Sequence, residues 1–344
     1  MMINLNAYRD LFHKYYIVGC GVRDRTSLGF VVDRWYSDEE VEEEEHEGYD
    51  PSLRSKRLIV FYTDLAVESQ WGGISLEAWN IPHIAGSSRP KGQLVATELD
   101  GKIRVIGSGE NYEDNSFADD LPSSPDRGGP RCLKSIAGYV YMCGGNRSVA
   151  KMIGKNDWYP HTELISQHPD PTRGGFDDID GFNENDLYAV GGKGDVCRFD
   201  GKKWLEVAFP SNAWISTVCC GADGNVYISG YEGLTFVGSE NKWKQIVDGG
   251  ISLRFKNMVW YHDRVWCTND YGVWTIYKNK LTKADLPPEI AVCAGNMATA
   301  DGVLLLGGLG GAAFMENGTW RPIMSRYQME TLIEEDDRQH DLDQ

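Results

Sequence analysis

Long apolar runs are missing from this chain of 344 residues. Near the C-terminus the uncharged stretch from Gly302 to Met315 is Gly-rich and falls short of the roughly 20 apolar residues that cross a bilayer. Met1 to Cys20 carries Arg9, Asp10 and Lys14 where a signal peptide needs an apolar block, so neither membrane insertion nor secretion by that route is expected. Paired cysteines are missing too. The eight cysteines (Cys20, Cys132, Cys143, Cys197, Cys219, Cys220, Cys267 and Cys293) contain no CxxC, the close spacing that Cys-ligated metals need, and most sit in apolar surroundings. Reduced, buried thiols in a cytoplasmic protein are expected. The adjacent Cys219 and Cys220 would point to opposite faces of a strand, which argues against a redox pair.

Catalytic signatures are equally scarce. No Gly-x-Ser-x-Gly occurs, and the Gly-rich Gly307–Gly311 lacks the Lys-Ser or Lys-Thr of a phosphate loop. The seven histidines show no helical pairing with a nearby Glu, and His161 and His168, in a Pro-rich loop with Asp170, lack ligand spacing. Neither catalytic residues, nor a metal, nor a cofactor is expected. Basic charge is in deficit, the net charge being −17, but the excess is local. Nine carboxylates with no intervening Lys or Arg lie at Asp38, Glu39, Glu40, Glu42, Glu43, Glu44, Glu45, Glu47 and Asp50, and seven more lie between Glu330 and Asp343. Outside these segments 35 acidic residues face 33 basic ones, so the body of the protein is nearly neutral. Such blocks repel themselves and stay solvated; they disfavour nucleic acid and suit a basic protein partner.

What the chain has in abundance is glycine, 39 residues, and aromatics, 11%. Both recur with a period. An aromatic or apolar anchor stands at Tyr141, Tyr188, Tyr227, Trp266 and Leu304, with steps of 47, 39, 39 and 38 residues. Three residues later come Gly144, Gly191, Gly230, Asn269 and Gly307, and each unit closes on Trp158, Trp204, Trp243, Leu281 or Trp320. Leu187–Val190 and Val226–Ser229 read as strands, Gly-x-x-Gly as a tight turn with positive φ, and Asp200-Gly201 or Asn317-Gly318 as the next hairpin. One such meander cannot bury both its faces; a radial stack of them can. The fold class is therefore all-β, a β-propeller of four-stranded antiparallel blades, seven being preferred and six the alternative. A single propeller is expected over residues 1–326, with five regular blades over 131–326 and degenerate blades over 1–130. The latter contain six strand-like runs, the acidic insertion 38–50 and a long connection over 111–130. Residues 327–344 form an acidic tail, helical or frayed.

The string Asp186-Leu-Tyr-Ala-Val-Gly191, Gly194, Phe199-Asp-Gly-Lys-Lys-Trp204 resembles bacterial propeller repeats of the type Asp-x-Tyr/Trp-Ala-x-Gly-x-x-Gly followed by Asp-Gly-x-x-Trp. The doubled Gly144-Gly145, Gly191-Gly192 and Gly307-Gly308 are similar to Kelch repeats, although the Kelch tyrosine ahead of the Trp is absent. A propeller of this kind also resembles immunity proteins that neutralise a cognate bacterial toxin. That resemblance implies a non-enzymatic protein-binding module, monomeric on its own, whose partner is a basic toxin domain.

The candidate contacts are the nine carboxylates of 38–50 with Glu113, Asp114, Asp119 and Asp120, and the tail. The central channel would be lined by Arg131, Asp178, Asp180, Thr217 and Lys256, a row of mixed charge that compensates itself. The alternative functions are a glycosidase- or lactonase-type enzyme at the channel mouth, for which Asp178 and Asp180 are the local carboxylates, and a lectin that uses exposed Trp.

Overall fold

In the repeat Leu187-Tyr188-Ala189-Val190 all four side chains are buried, yet the period-2 rule of a strand still sorts them. Leu187 and Ala189 enter one apolar cluster, with Ile136, Tyr141 and Val149 of the preceding sheet. Tyr188 and Val190 enter another, with Ile215, Val226 and Ile228 of the following one. A strand that buries both its faces against neighbours is the second strand of a propeller blade, and the computed structural model shows such blades all round the ring. It describes residues 2–37, 40, 54–114, 128–161, 165–166, 168 and 174–342. Their strands form seven four-stranded antiparallel sheets, each built from four strands consecutive in sequence. The chain is a seven-bladed β-propeller.

The innermost strands are Tyr15–Asp24, Pro82–Ser87, Pro130–Ile136, Asp178–Asn183, Ile215–Cys220, Asn257–Tyr261 and Gly295–Ala300. Two complete blades precede Pro130. Their inner strand Pro82–Ser87 and outer strand Glu110–Asp114 were not among the six runs expected there. Trp158, Trp204, Trp243, Leu281 and Trp320 all fall in outermost strands.

The repeated glycines work differently from the expectation. Gly191 has no positive φ. A Cβ there would lie 2.3 Å from the Gly175 carbonyl oxygen, because the connection entering the blade crosses the end of its second strand. Gly230 is crossed in the same way by Trp214. In these two motifs the positive φ lies later in the turn, +45° at Gly192 and +76° at Gly194 in one and +77° at Gly233 in the other.

No blade is shared between the chain ends, so the ring closes by packing. Ile17 and Phe30 of blade 1 meet Val303, Leu305 and Phe314 of blade 7. Helix α1 (Leu5–Leu11) and a C-terminal helix (Arg326–Leu342) complete this seam, the former through Tyr8, the latter through Met329 and Ile333. The Met2 amide also donates to the Ile323 carbonyl of the last outer strand (2.8 Å). The C-terminal segment is thus a docked helix: Arg9 donates to Asp336 and Asp337 (2.8 Å each), and Tyr8 donates to Glu330 (2.7 Å). Among the described residues no helix is long and apolar enough to cross a membrane.

Candidate functional site

Inner strands that converge on one axis leave a channel, here divided into two chambers. The wide one, about 790 Å³, is bordered by the segments leading into the inner strands, with Asn80–His83, Pro130–Arg131, Asp177–Asp178 and Arg254–Asn257 on its wall. The narrow one, about 200 Å³, lies further along the strands, with Lys134, Asp180, Cys220 and Thr299. Cys20, Ile84, Cys132, Leu133 and Asn257 border both and form the constriction between them.

A lysine of the narrow chamber reaches across the axis beside this constriction. Lys134, on the inner strand of blade 3, donates to the Met258 carbonyl of blade 6 (3.3 Å) and pairs with Asp178 of blade 4 (3.7 Å). Burial pulls its amine down, but Asp178 and Asp180 outweigh that and hold it well above the ordinary lysine value. Asp178 also accepts from Thr217 Oγ1 (2.6 Å) and from the Val218 (3.0 Å) and Ile179 (2.9 Å) amides. Asp180 accepts from the Cys220 (2.8 Å) and Gly181 (2.9 Å) amides. Burial raises the Asp180 carboxyl to about 6 despite Lys134. His83, on the wide-chamber wall, is lowered to about 4 by burial and is neutral near pH 7.

Arg131, Asp178 and Lys256 therefore stand on the wall of the wide chamber and Asp180 on that of the narrow one. Thr217 is fully buried behind the wall and serves as a bridge, donating to Asp178 and accepting from the Met258 amide (3.2 Å). The expected row needs a correction in register. Asp178 pairs with Val190, and its counterparts by the same pairing are Cys132, Thr217, Asn257 and Met297, not Arg131, Lys256 and Ala294. A constant spacing from the anchor slips because the inner hairpins differ in length, and a slip of one residue reverses the face of a strand. The same slip hid Lys134, which pairs with the repeat anchor Tyr141 as Asp180 pairs with Tyr188.

Of the expected contact residues, Asp38, Glu39, Glu42, Glu43, Glu44, Glu45, Glu47, Asp50, Asp119 and Asp120 lie outside the described residues. Glu40 accepts from the Ser37 amide (2.9 Å) and from Arg34 (3.2 Å). Glu113 pairs with Arg104 (3.2 Å) and stays half exposed. Asp114 is buried at the end of its strand and offers no surface to a partner. His161 packs among Tyr141, Tyr159, Phe199 and Trp204, and burial lowers it to about 4. Among the described residues no group of three or more His, Cys, Asp or Glu could hold a metal ion.

The site thus belongs to a propeller whose axial carboxylates are engaged by the protein itself and whose wide mouth opens to solvent. No protein-family model matches the chain. It is similar to the immune protein Tsi7 of Pseudomonas aeruginosa, with 28% identity over 235 residues that cover 66% of this chain and 74% of that protein. Among solved structures, virginiamycin B lyase from Staphylococcus aureus matches with a TM-score of 0.52 at 16% identity, covering 70% of this chain and 82% of that one. The WD40 propeller domain of Doa1 matches with a TM-score of 0.58 at 11% identity, covering 88% and 92%. At these identities the two structures share the fold alone.

Proposed function

We propose that the protein is a non-enzymatic, protein-binding propeller that neutralises a cognate bacterial toxin by direct binding. The similarity to Tsi7, which extends over most of that immune protein, carries this reading. The channel is compatible with it, since Asp178 and Asp180, the carboxylates an enzyme at the mouth would need, are engaged by backbone amides, Thr217 and Lys134. The proposal includes a cytoplasmic location, in which the eight free thiols stay reduced, and a monomer in the absence of its partner. It also includes a basic toxin domain, whose encounter the net charge of −17 would accelerate.

Expression of the toxin domain encoded beside this gene, in a host sensitive to it, tests the proposal. Co-expression of the propeller should restore growth, and the two proteins should co-purify at a ratio of one to one. Continued toxicity, with no complex, would refute it.

A further inference from the structure

The wide-mouth end of the propeller is not uniform. Along blades 5 to 7 its loops expose Trp214, Tyr231, Leu253, Tyr271, Val292 and Leu309, with Tyr271 69% and Tyr231 64% accessible. Backbone and side-chain bonds make these loops one surface. The Tyr231 amide donates to the Trp214 carbonyl (2.9 Å), Ile251 to Glu232 (3.0 Å), and the Asn269 side chain to the Leu253 carbonyl (3.0 Å). Single exposed apolar residues are ordinary; an arc carried by successive loops of one face is the pattern of an interface.

The arc borders the wide chamber, whose wall carries charges of both signs. Lys56, Arg131, Arg254 and Lys256 face Asp33, Asp177 and Asp178 on its wall. Arg131 pairs with Asp177 (3.2 Å), which also accepts from the Trp214 indole (3.0 Å), and Lys256 pairs with Asp270 (2.6 Å) beside Tyr271. Arg254 is exposed next to Leu253 and has no hydrogen bond or ion pair among the described residues. In a chain of net charge −17, Arg254 thus stands at this mouth as an exposed cation with no ion pair among the described residues.

We infer that the face formed by blades 5 to 7 is the docking surface. The occupant it fits is the cognate toxin domain, through a loop that lays aliphatic or aromatic side chains on the arc and sends one carboxylate to Arg254 at the channel mouth. The identity of the occupant rests on the proposed immunity function; the surface and its chemistry rest on the arc and the mouth. Tyrosines on such a rim give large contact area at low entropic cost, and a charged pair at its centre fixes the register of docking.

Calorimetric titration of the purified toxin domain into the full-length propeller tests the inference. Tyr231→Ala, Tyr271→Ala and Arg254→Glu should each raise the Kd by about tenfold or more, and Arg254→Gln by less than Arg254→Glu. Leu65→Ala and Tyr277→Ala, at the opposite end of the blades, should stay within about twofold of the parent protein. All five positions are exposed, and an unchanged unfolding midpoint confirms that each variant is folded. Arc variants that bind like the parent protein overturn the surface, and tighter binding by Arg254→Glu overturns the carboxylate. A parent protein that fails to bind the toxin domain overturns the immunity function instead.

Discussion

Arg147 shows how much of this fold is held by single side chains. It occupies the hairpin between the second and third strands of blade 3 at φ +62°, with its guanidinium against Asp195 of blade 4 (2.6 to 3.1 Å). It also donates to the Ser166 carbonyl (3.1 Å) and to Glu206 (2.7 Å). Both charges are almost fully buried, so removal of one strands the other. Asp195→Ala should lower the unfolding free energy by about 3–5 kcal/mol in a urea titration, whereas a paired apolar replacement at both positions should recover most of that loss. Asp180 adds a pH dependence. Its folded-state value of about 6 lies above the ordinary 3.8, so between these pH values the folded protein holds a proton that the unfolded chain has released. Its contribution to stability is therefore fullest below about pH 4 and declines as pH rises through about 6. Relative to the parent protein, Asp180→Asn should gain stability across that window and level off above it, as read from urea midpoints at each pH. His161, lowered from 6.5 to about 4, has the opposite slope, because the unfolded chain takes up its proton first as pH falls.

At the scale of elements, legibility followed repetition. The anchors and closing tryptophans stood out because every blade needs the same apolar position against its neighbours. Pro82–Ser87 did not: it opens on Pro and contains Gly, and its fit comes from close approach to blade 1, where a Cβ at Gly86 would lie 1.9 Å from the Val22 carbonyl oxygen. Glu110–Asp114 was equally opaque, since an outermost strand with one wet face has little apolar pattern to show. The C-terminal helix was half legible. Its spacing of Met329 and Ile333 is helical, but its partners Tyr8 and Arg9 lie more than 300 residues away in sequence. Docking of that helix completes the seam between blades 7 and 1. Met329→Ala and Ile333→Ala should each cost about 2 kcal/mol and combine with loss of cooperativity at the seam between blades 7 and 1, measurable by hydrogen exchange in Tyr15–Asp24. Gly191→Ala should cost about 1–3 kcal/mol, because its methyl group has only backbone to displace.

For the whole molecule, the seven apolar clusters correspond one to one with the seven junctions between blades, so the ring is a closed series of equivalent contacts. Such a scaffold leaves its loops free to differ from blade to blade, and at the wide mouth those of blades 5 to 7 expose Trp214, Tyr231, Leu253 and Tyr271. The fold was readable from the repeats of five blades; the docking surface was not, because exposed Tyr231 and Tyr271 follow no period and gain meaning only when the ring brings their loops together. Of the acidic residues that charge singles out, Asp114 is buried and Asp336 and Asp337 are held by Arg9, while most of those in 38–50 and 119–120 lie outside the described residues. Hydrogen exchange of the full-length protein with and without the toxin domain is the most direct measurement. Protection is expected over residues 211–216, 230–235, 251–257 and 269–272, with the hairpins at the opposite end of the blades unchanged. Protection confined to that opposite end, or none at all when toxin is in excess, would contradict a toxin-binding propeller that works through its wide mouth.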